Sequence, residues 1–130
     1  MTPELTYLTY AVLLLIVHMF VQATLSNLSK GLDWALGSQD EPRDQNAIAG
    51  RVQRALTNYV YNLPAFIALA LMLKVTDLGT TTTATGAAVW FWARVAYIPA
   101  YASGIQMIRS IAWFTSLVGL TLMIIPLLGT

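Results

Sequence analysis

Arg51, Arg54, Asn58 and either Tyr61 or Asn62 recur three or four residues apart, and Arg94, Tyr97 and Tyr101 repeat that spacing further along the chain. On a helix this spacing places each set on one face. Arg109 follows after a short turn, which brings it back to the same membrane side. Each guanidinium offers a planar fork of donors to a carboxylate or a phosphate. Asn58 can both donate and accept, and the two tyrosines carry a hydroxyl on an aromatic body. All of these residues lie in or beside long apolar runs, where a charge costs about 2.5–3.5 kcal/mol to insert into a bilayer. No carboxylate in those runs balances them, since Asp33, Asp40, Glu41 and Asp44 fall in a single polar connector. Such a cluster calls for a bound anion, for water, or for the connector acids to fold over it.

Simpler roles stand beside this one. Arg51 could snorkel from a helix start. Tyr97 and Tyr101 could be interface packing, and His18 fits an interhelical hydrogen bond better than a metal site. Trp34, Trp90, Trp92 and Trp113 could anchor at the membrane interface.

The elements that must position these groups are membrane helices. The chain has 130 residues, 57% hydrophobic and only 10% charged, against about 25% charged in a soluble domain. A spanning helix needs about 20 mostly apolar residues. Four segments qualify, at about 5–29, 47–74, 83–101 and 108–128. The expected fold class is therefore all-α, an integral membrane four-helix bundle in one domain covering 1–130. The first segment lacks a basic leader and a small-residue cleavage site, so it is expected to be retained. Residues about 30–46, with the run GLDWALGSQDEPRDQN, form the one long polar connector, rich in turn formers. The other two connectors are short, which makes their flanking helices antiparallel neighbours. Pro64 and Pro99 sit inside spans and should bend them.

Lys30, Arg43, Arg51, Arg54, Arg94 and Arg109 flank the first and third connectors, and Lys74 alone marks the other side. The positive-inside rule then makes those connectors cytoplasmic and leaves both termini outside. Cysteine is absent, which excludes a disulfide framework, a protein thiol nucleophile and Cys-ligated metal sites. No metal is expected. A net charge of +1 without a basic block leaves no footprint for nucleic acid. The absence of an inverted repeat and of midplane acids argues against a transporter.

Two runs in order carry a resemblance. RVQRALTNYVYNLPAF, from Arg51 to Phe66, resembles the second-helix signature of the MAPEG family (membrane-associated proteins in eicosanoid and glutathione metabolism). RVAYIPAYASGIQMIRSIAW, from Arg94 to Trp113, resembles its third- and fourth-helix signature. The connector piece GLDWALGSQDEP resembles bacterial members, which implies a bacterial inner-membrane protein.

The resemblance implies a homotrimer with a glutathione site between neighbouring protomers, near the cytoplasmic face. The family's glutathione-contacting Arg and Asn match Arg54 and Asn58, and its third-helix positions match Arg94, Tyr97 and Tyr101. The arginine credited with activating the thiol matches Arg109. Glutathione would be the thiol co-substrate, and its thiolate would attack a lipophilic small molecule arriving from the membrane lipids. Where many relatives carry Glu this chain has Tyr61, which offers only a hydroxyl to the ammonium of a γ-glutamyl group. A Gln of some relatives is Leu56, and the basic residues at the end of the first helix are reduced to Lys30. Two functions fit: a glutathione-dependent transferase or peroxidase, or a non-enzymatic module that binds a lipid headgroup or another small anion at the same residues.

Overall fold

The computed structural model describes residues 1–130 and is helical throughout, without strands. The helices are α1 (Pro3–Lys30), α2 (Leu32–Leu36), α3 (Ala47–Thr76), α4 (Thr81–Ser103) and α5 (Gln106–Leu128). Local chemistry sets their ends. The Thr2 side chain accepts from the Leu5 amide, with Pro3 opening the first turn of α1. Asn46 Oδ1 accepts from the Ala49 amide at 2.9 Å and starts α3. Thr80 and Thr83 form a reciprocal capping box at the start of α4. Asp77 (φ 56°) and Gly104 (φ 78°) end α3 and α4 in the left-handed region.

The all-α expectation holds. Three helices, α1, α3 and α5, are long and apolar enough to cross a membrane. The fourth long helix, α4, is not among them. Thr81, Thr82, Thr83, Thr85 and Arg94 dilute its apolar content. The polar connector, for all its turn formers, holds the one-turn helix α2. Around it Arg43 Nη1 donates to the Lys30 carbonyl at 2.8 Å and Trp34 Nε1 to the Glu41 carbonyl at 2.6 Å. Pro64 and Pro99 both lie inside continuous helices.

Consecutive long helices run antiparallel, while α1 and α4 run parallel. α3 and α4 are central, α1 packs on one side and α5 on the other, and α1 does not touch α5. The buried residues of α1 are Glu4, Ala11, His18 and Ser26, one narrow stripe of small or polar side chains. Its large apolar residues, such as Leu13, Ile16 and Phe20, face outward. That inversion suits a bilayer, where helices associate through close approach and interhelical hydrogen bonds rather than through the hydrophobic effect. Tyr59 Oη donates to the Ala11 carbonyl at 2.6 Å, and His18 Nε2 donates to the Val52 carbonyl at 3.3 Å. Both bonds fasten α1 to α3. Thr83 Oγ1 donates to Glu4 Oε1 at 2.5 Å and fastens α1 to α4.

Gly86 and Gly119 bring α4 and α5 together. A Cβ built on Gly119 would sit 2.6 Å from the Gly86 carbonyl oxygen, and one on Gly86 2.7 Å from that of Gly119. Between the ends lies an apolar centre in which Phe66 stacks on Trp90, ring centroids 4.0 Å apart and 4° from parallel. Trp90 is thus a core residue and not an interface anchor. Its indole is fully buried, whereas Trp92 is exposed.

Candidate functional site

The arginine-bearing ends of α3, α4 and α5 enclose an open cleft of about 460 Å³. From α3 it takes Arg54, Thr57, Asn58 and Tyr61; from α4, Tyr97 and Tyr101; from α5, Arg109, Ser110, Trp113 and Phe114. A smaller cavity of about 270 Å³ shares Arg54, Tyr101 and Arg109 with it and adds Arg51. Helical spacing explains why the α3 residues converge, because 57 and 58 lie three and four residues beyond 54, and 61 lies four and three beyond them, all along one face. The turn at Gly104 then folds α5 back so that Arg109 comes to lie beside Tyr101. A Cβ on Gly104 would sit 3.1 Å from the Arg51 guanidinium carbon, and its φ of 78° already favours glycine.

Tyr101 is the hub. Arg54 Nε donates to its hydroxyl at 3.1 Å. The Arg109 guanidinium lies 5.0 Å from the centre of the same ring, close enough for a cation–π contact. Tyr97 meets Tyr101 edge-on, with centroids 5.7 Å apart. Arg51 Nη1 donates to the Ala102 carbonyl at 3.3 Å, which ties the start of α3 to the end of α4.

The connector acids do not fold over this cluster. The only ion pair in the chain joins Arg43 to Asp33, at 3.6 Å and exposed. Arg51, Arg54, Arg94 and Arg109 therefore have no carboxylate partner. The surviving options from the sequence are water or a bound anion.

Two of the sequence candidates lie elsewhere. Arg94 is only 1% exposed and sits beneath the cleft wall. Its Nη2 donates to Asn58 Oδ1 at 2.8 Å, and its guanidinium stacks 4.4 Å from the Tyr97 ring centre. Its Nε and Nη1 find no acceptor. Arg94 thus orients Asn58 and supports Tyr97 from behind the cleft wall. Asn62 is one turn past the cleft, where its Nδ2 donates to the Asn58 carbonyl at 2.9 Å.

Thr57, Ser110 and Phe114 complete the cleft without having stood out in the sequence. Ser110 and Phe114 carry a readable signal after the fact: with Arg109 and Trp113 they occupy two adjacent steps of one α5 face. No group of three or more His, Cys, Asp or Glu residues comes together to hold a metal ion.

The family comparison agrees with the helices. The MAPEG family model matches residues 7–129. No curated protein and no solved structure matches the chain. With three helices able to span a bilayer and a match over nearly its whole length, the chain is an integral membrane protein that belongs to the MAPEG family.

Proposed function

We propose that the chain is a glutathione-dependent transferase or peroxidase acting on lipophilic electrophiles. One observation carries this reading: Arg54 and Arg109 converge on Tyr101 in an open cleft that contains no carboxylate. Cations so placed favour a bound anion, and glutathione brings carboxylates as well as a thiol. The Arg109 guanidinium would favour thiolate over thiol, with the proton passing to water. In a transfer reaction the sulfur forms a bond to the electrophilic carbon while the leaving group departs with its electron pair. Trp113 and the exposed Phe114 give the cleft an apolar wall, which suits an electrophile dissolved in lipid.

The same reading makes α4 a fourth membrane helix in a four-helix bundle, three protomers forming a homotrimer, and the arginine end cytoplasmic in a bacterial inner membrane. Family membership and the placement of Arg51, Arg54, Arg94 and Arg109 at one end support it.

Tyr61 favours a second reading. It is 81% exposed and stands on the cleft wall. With no acid nearby, nothing on that wall pairs with the ammonium of a γ-glutamyl group, whereas a phosphate headgroup needs only the guanidiniums. The deciding experiment is isothermal titration of glutathione, and separately of a phosphate-bearing headgroup, into the detergent-solubilised protein, with Arg54→Ala alongside. Saturable glutathione binding that the variant loses is the expected result. Headgroup binding without glutathione binding would replace the enzyme with a non-catalytic anion module.

A further inference from the structure

Arg94 is buried at 1% exposure, and no carboxylate pairs with it. Its guanidinium carbon lies 5.6 Å from the centre of the Tyr59 ring and 4.4 Å from that of Tyr97. Nε and Nη1 are buried without a partner, so the Asn58 amide is its one hydrogen-bond acceptor. An arginine has donors and no acceptor, so the Asn58 atom 2.8 Å from Nη2 must be the amide oxygen. The opposite amide orientation would set two donors against each other away from water. Asn62 Nδ2, which donates to the Asn58 carbonyl, also lies 3.4 Å from that side-chain oxygen. The oxygen is thus committed to the interior. The NH2 group of Asn58 meets no acceptor within the chain and is left to the cleft, whose wall Asn58 forms. Tyr101 is set in the same way: its hydroxyl oxygen accepts from Arg54 Nε at 3.1 Å, which leaves the hydroxyl proton for a guest.

We propose that Arg94 is a positioning residue that fixes Asn58 as a hydrogen-bond donor to an anionic oxygen or sulfur in the cleft. The inference rests on the cleft binding an anion, a feature that both readings of the proposed function share. A free asparagine offers a guest its donor or its acceptor with equal ease; held by Arg94, it offers N–H bonds alone. Carboxylate, phosphate and thiolate groups are accepted at this point, and an ammonium is turned away. The missing counterion of Arg94 then has a reason. An aspartate in place of Asn58 would pair with Arg94 and relieve a buried, uncompensated charge. It would also turn a negative acceptor toward the guest. The amide instead leaves Arg94 without a carboxylate and keeps the cleft wall able to donate. Such a local cost, left unrelieved, is typical of a site where function and stability conflict.

Asn58→Asp separates this role from a purely structural one. If Asn58 serves only to hold Arg94, the variant should fold and bind as well as the wild type, because Arg94 gains a carboxylate. The expected result is a thermal midpoint in detergent at or above that of the wild type. Affinity for glutathione and for glycerol 3-phosphate, measured by calorimetry on the full chain, should fall by roughly tenfold or more, the scale of a hydrogen bond to a charged group. Arg94→Met releases the amide without adding a charge and should weaken binding by roughly two- to tenfold, the scale of one net hydrogen bond. A second measurement needs no stable variant. In wild-type protein labelled with 15N-asparagine, the side-chain NH2 signals of Asn58, identified by their loss in Asn58→Ser, should move downfield as the binding probe is added. They decide the matter if Asn58→Asp does not fold. Wild-type affinity in a folded Asn58→Asp, or Asn58 signals that stay in place at saturation, would overturn the proposal and leave the proposed function standing. Absence of binding of either probe to the wild type would overturn both.

Discussion

Arg54 and Arg109, from helices that are not consecutive in the chain, are both held by Tyr101: the first donates to its hydroxyl at 3.1 Å, the second lies 5.0 Å from its ring centre. One side chain thus sets the spacing of two guanidiniums. Tyr101→Phe removes the hydrogen bond and keeps the ring. It should weaken glutathione binding roughly two- to tenfold, the net worth of one hydrogen bond. Tyr101→Ala frees both arginines and should weaken it further. Titration calorimetry on the two variants checks the order, and equal affinities for wild type and Tyr101→Ala would remove Tyr101 from the site.

Arg109 and Arg54 should separate kinetically. If Arg109 acts on the thiolate, Arg109→Ala should reduce kcat roughly a hundredfold, the scale of one lost anion-stabilising donor, with a smaller change in KM. The ultraviolet absorbance of bound thiolate should fall in parallel. Equal losses in turnover and in binding would reduce Arg109 to an anion anchor.

Tyr61 offers a gain-of-binding test. Its exposed position on the cleft wall allows Tyr61→Glu without disturbing the core. The new carboxylate should raise glutathione affinity about two- to fivefold, the scale of an exposed ion pair, and should weaken binding of a phosphate headgroup. Calorimetry with both ligands decides it. A variant that binds glutathione no better would indicate that the ammonium lies elsewhere.

Gly119 governs stability apart from the site. Gly119→Ala sets a methyl 2.6 Å from the Gly86 carbonyl oxygen and from the Trp90 amide nitrogen, so α4 and α5 must separate. About 1–3 kcal/mol of destabilisation follows from overpacking of this kind. Thermal unfolding in detergent should show a clearly lower midpoint, and an unchanged midpoint would mean that this crossing is loose.

Spacing alone made part of this site legible. The steps from Arg54 to Asn58 and from Tyr97 to Tyr101 are helical repeats, and the short turn at Gly104 brings Arg109 beside them whatever the tertiary detail. Depth was not legible. Arg94 shares the spacing of Tyr97 and Tyr101, but it is buried under Asn58 rather than on the cleft. Hydrophobicity could not supply that depth, because large apolar residues lie both outside, as Phe20 and Ile111 do, and inside, as Phe66 and Met123 do, while Ala11, Ser116 and Gly119 are buried. Trp90 misled for the same reason: a tryptophan in an apolar run suits an interface and a core equally well. Glu4 reads in sequence as an ordinary acid in a first turn, which is stabilising near the helix N-terminus. Only the approach of Thr83, 79 residues away, shows that it is buried.

The stack of Phe66 on Trp90, with Ala11 and Met123 sealed around it, has an electrical meaning. It divides each chain into two wet ends and a dry waist. An apolar layer of low dielectric thus separates the arginine cleft at one end of the helices from buried Glu4 at the other.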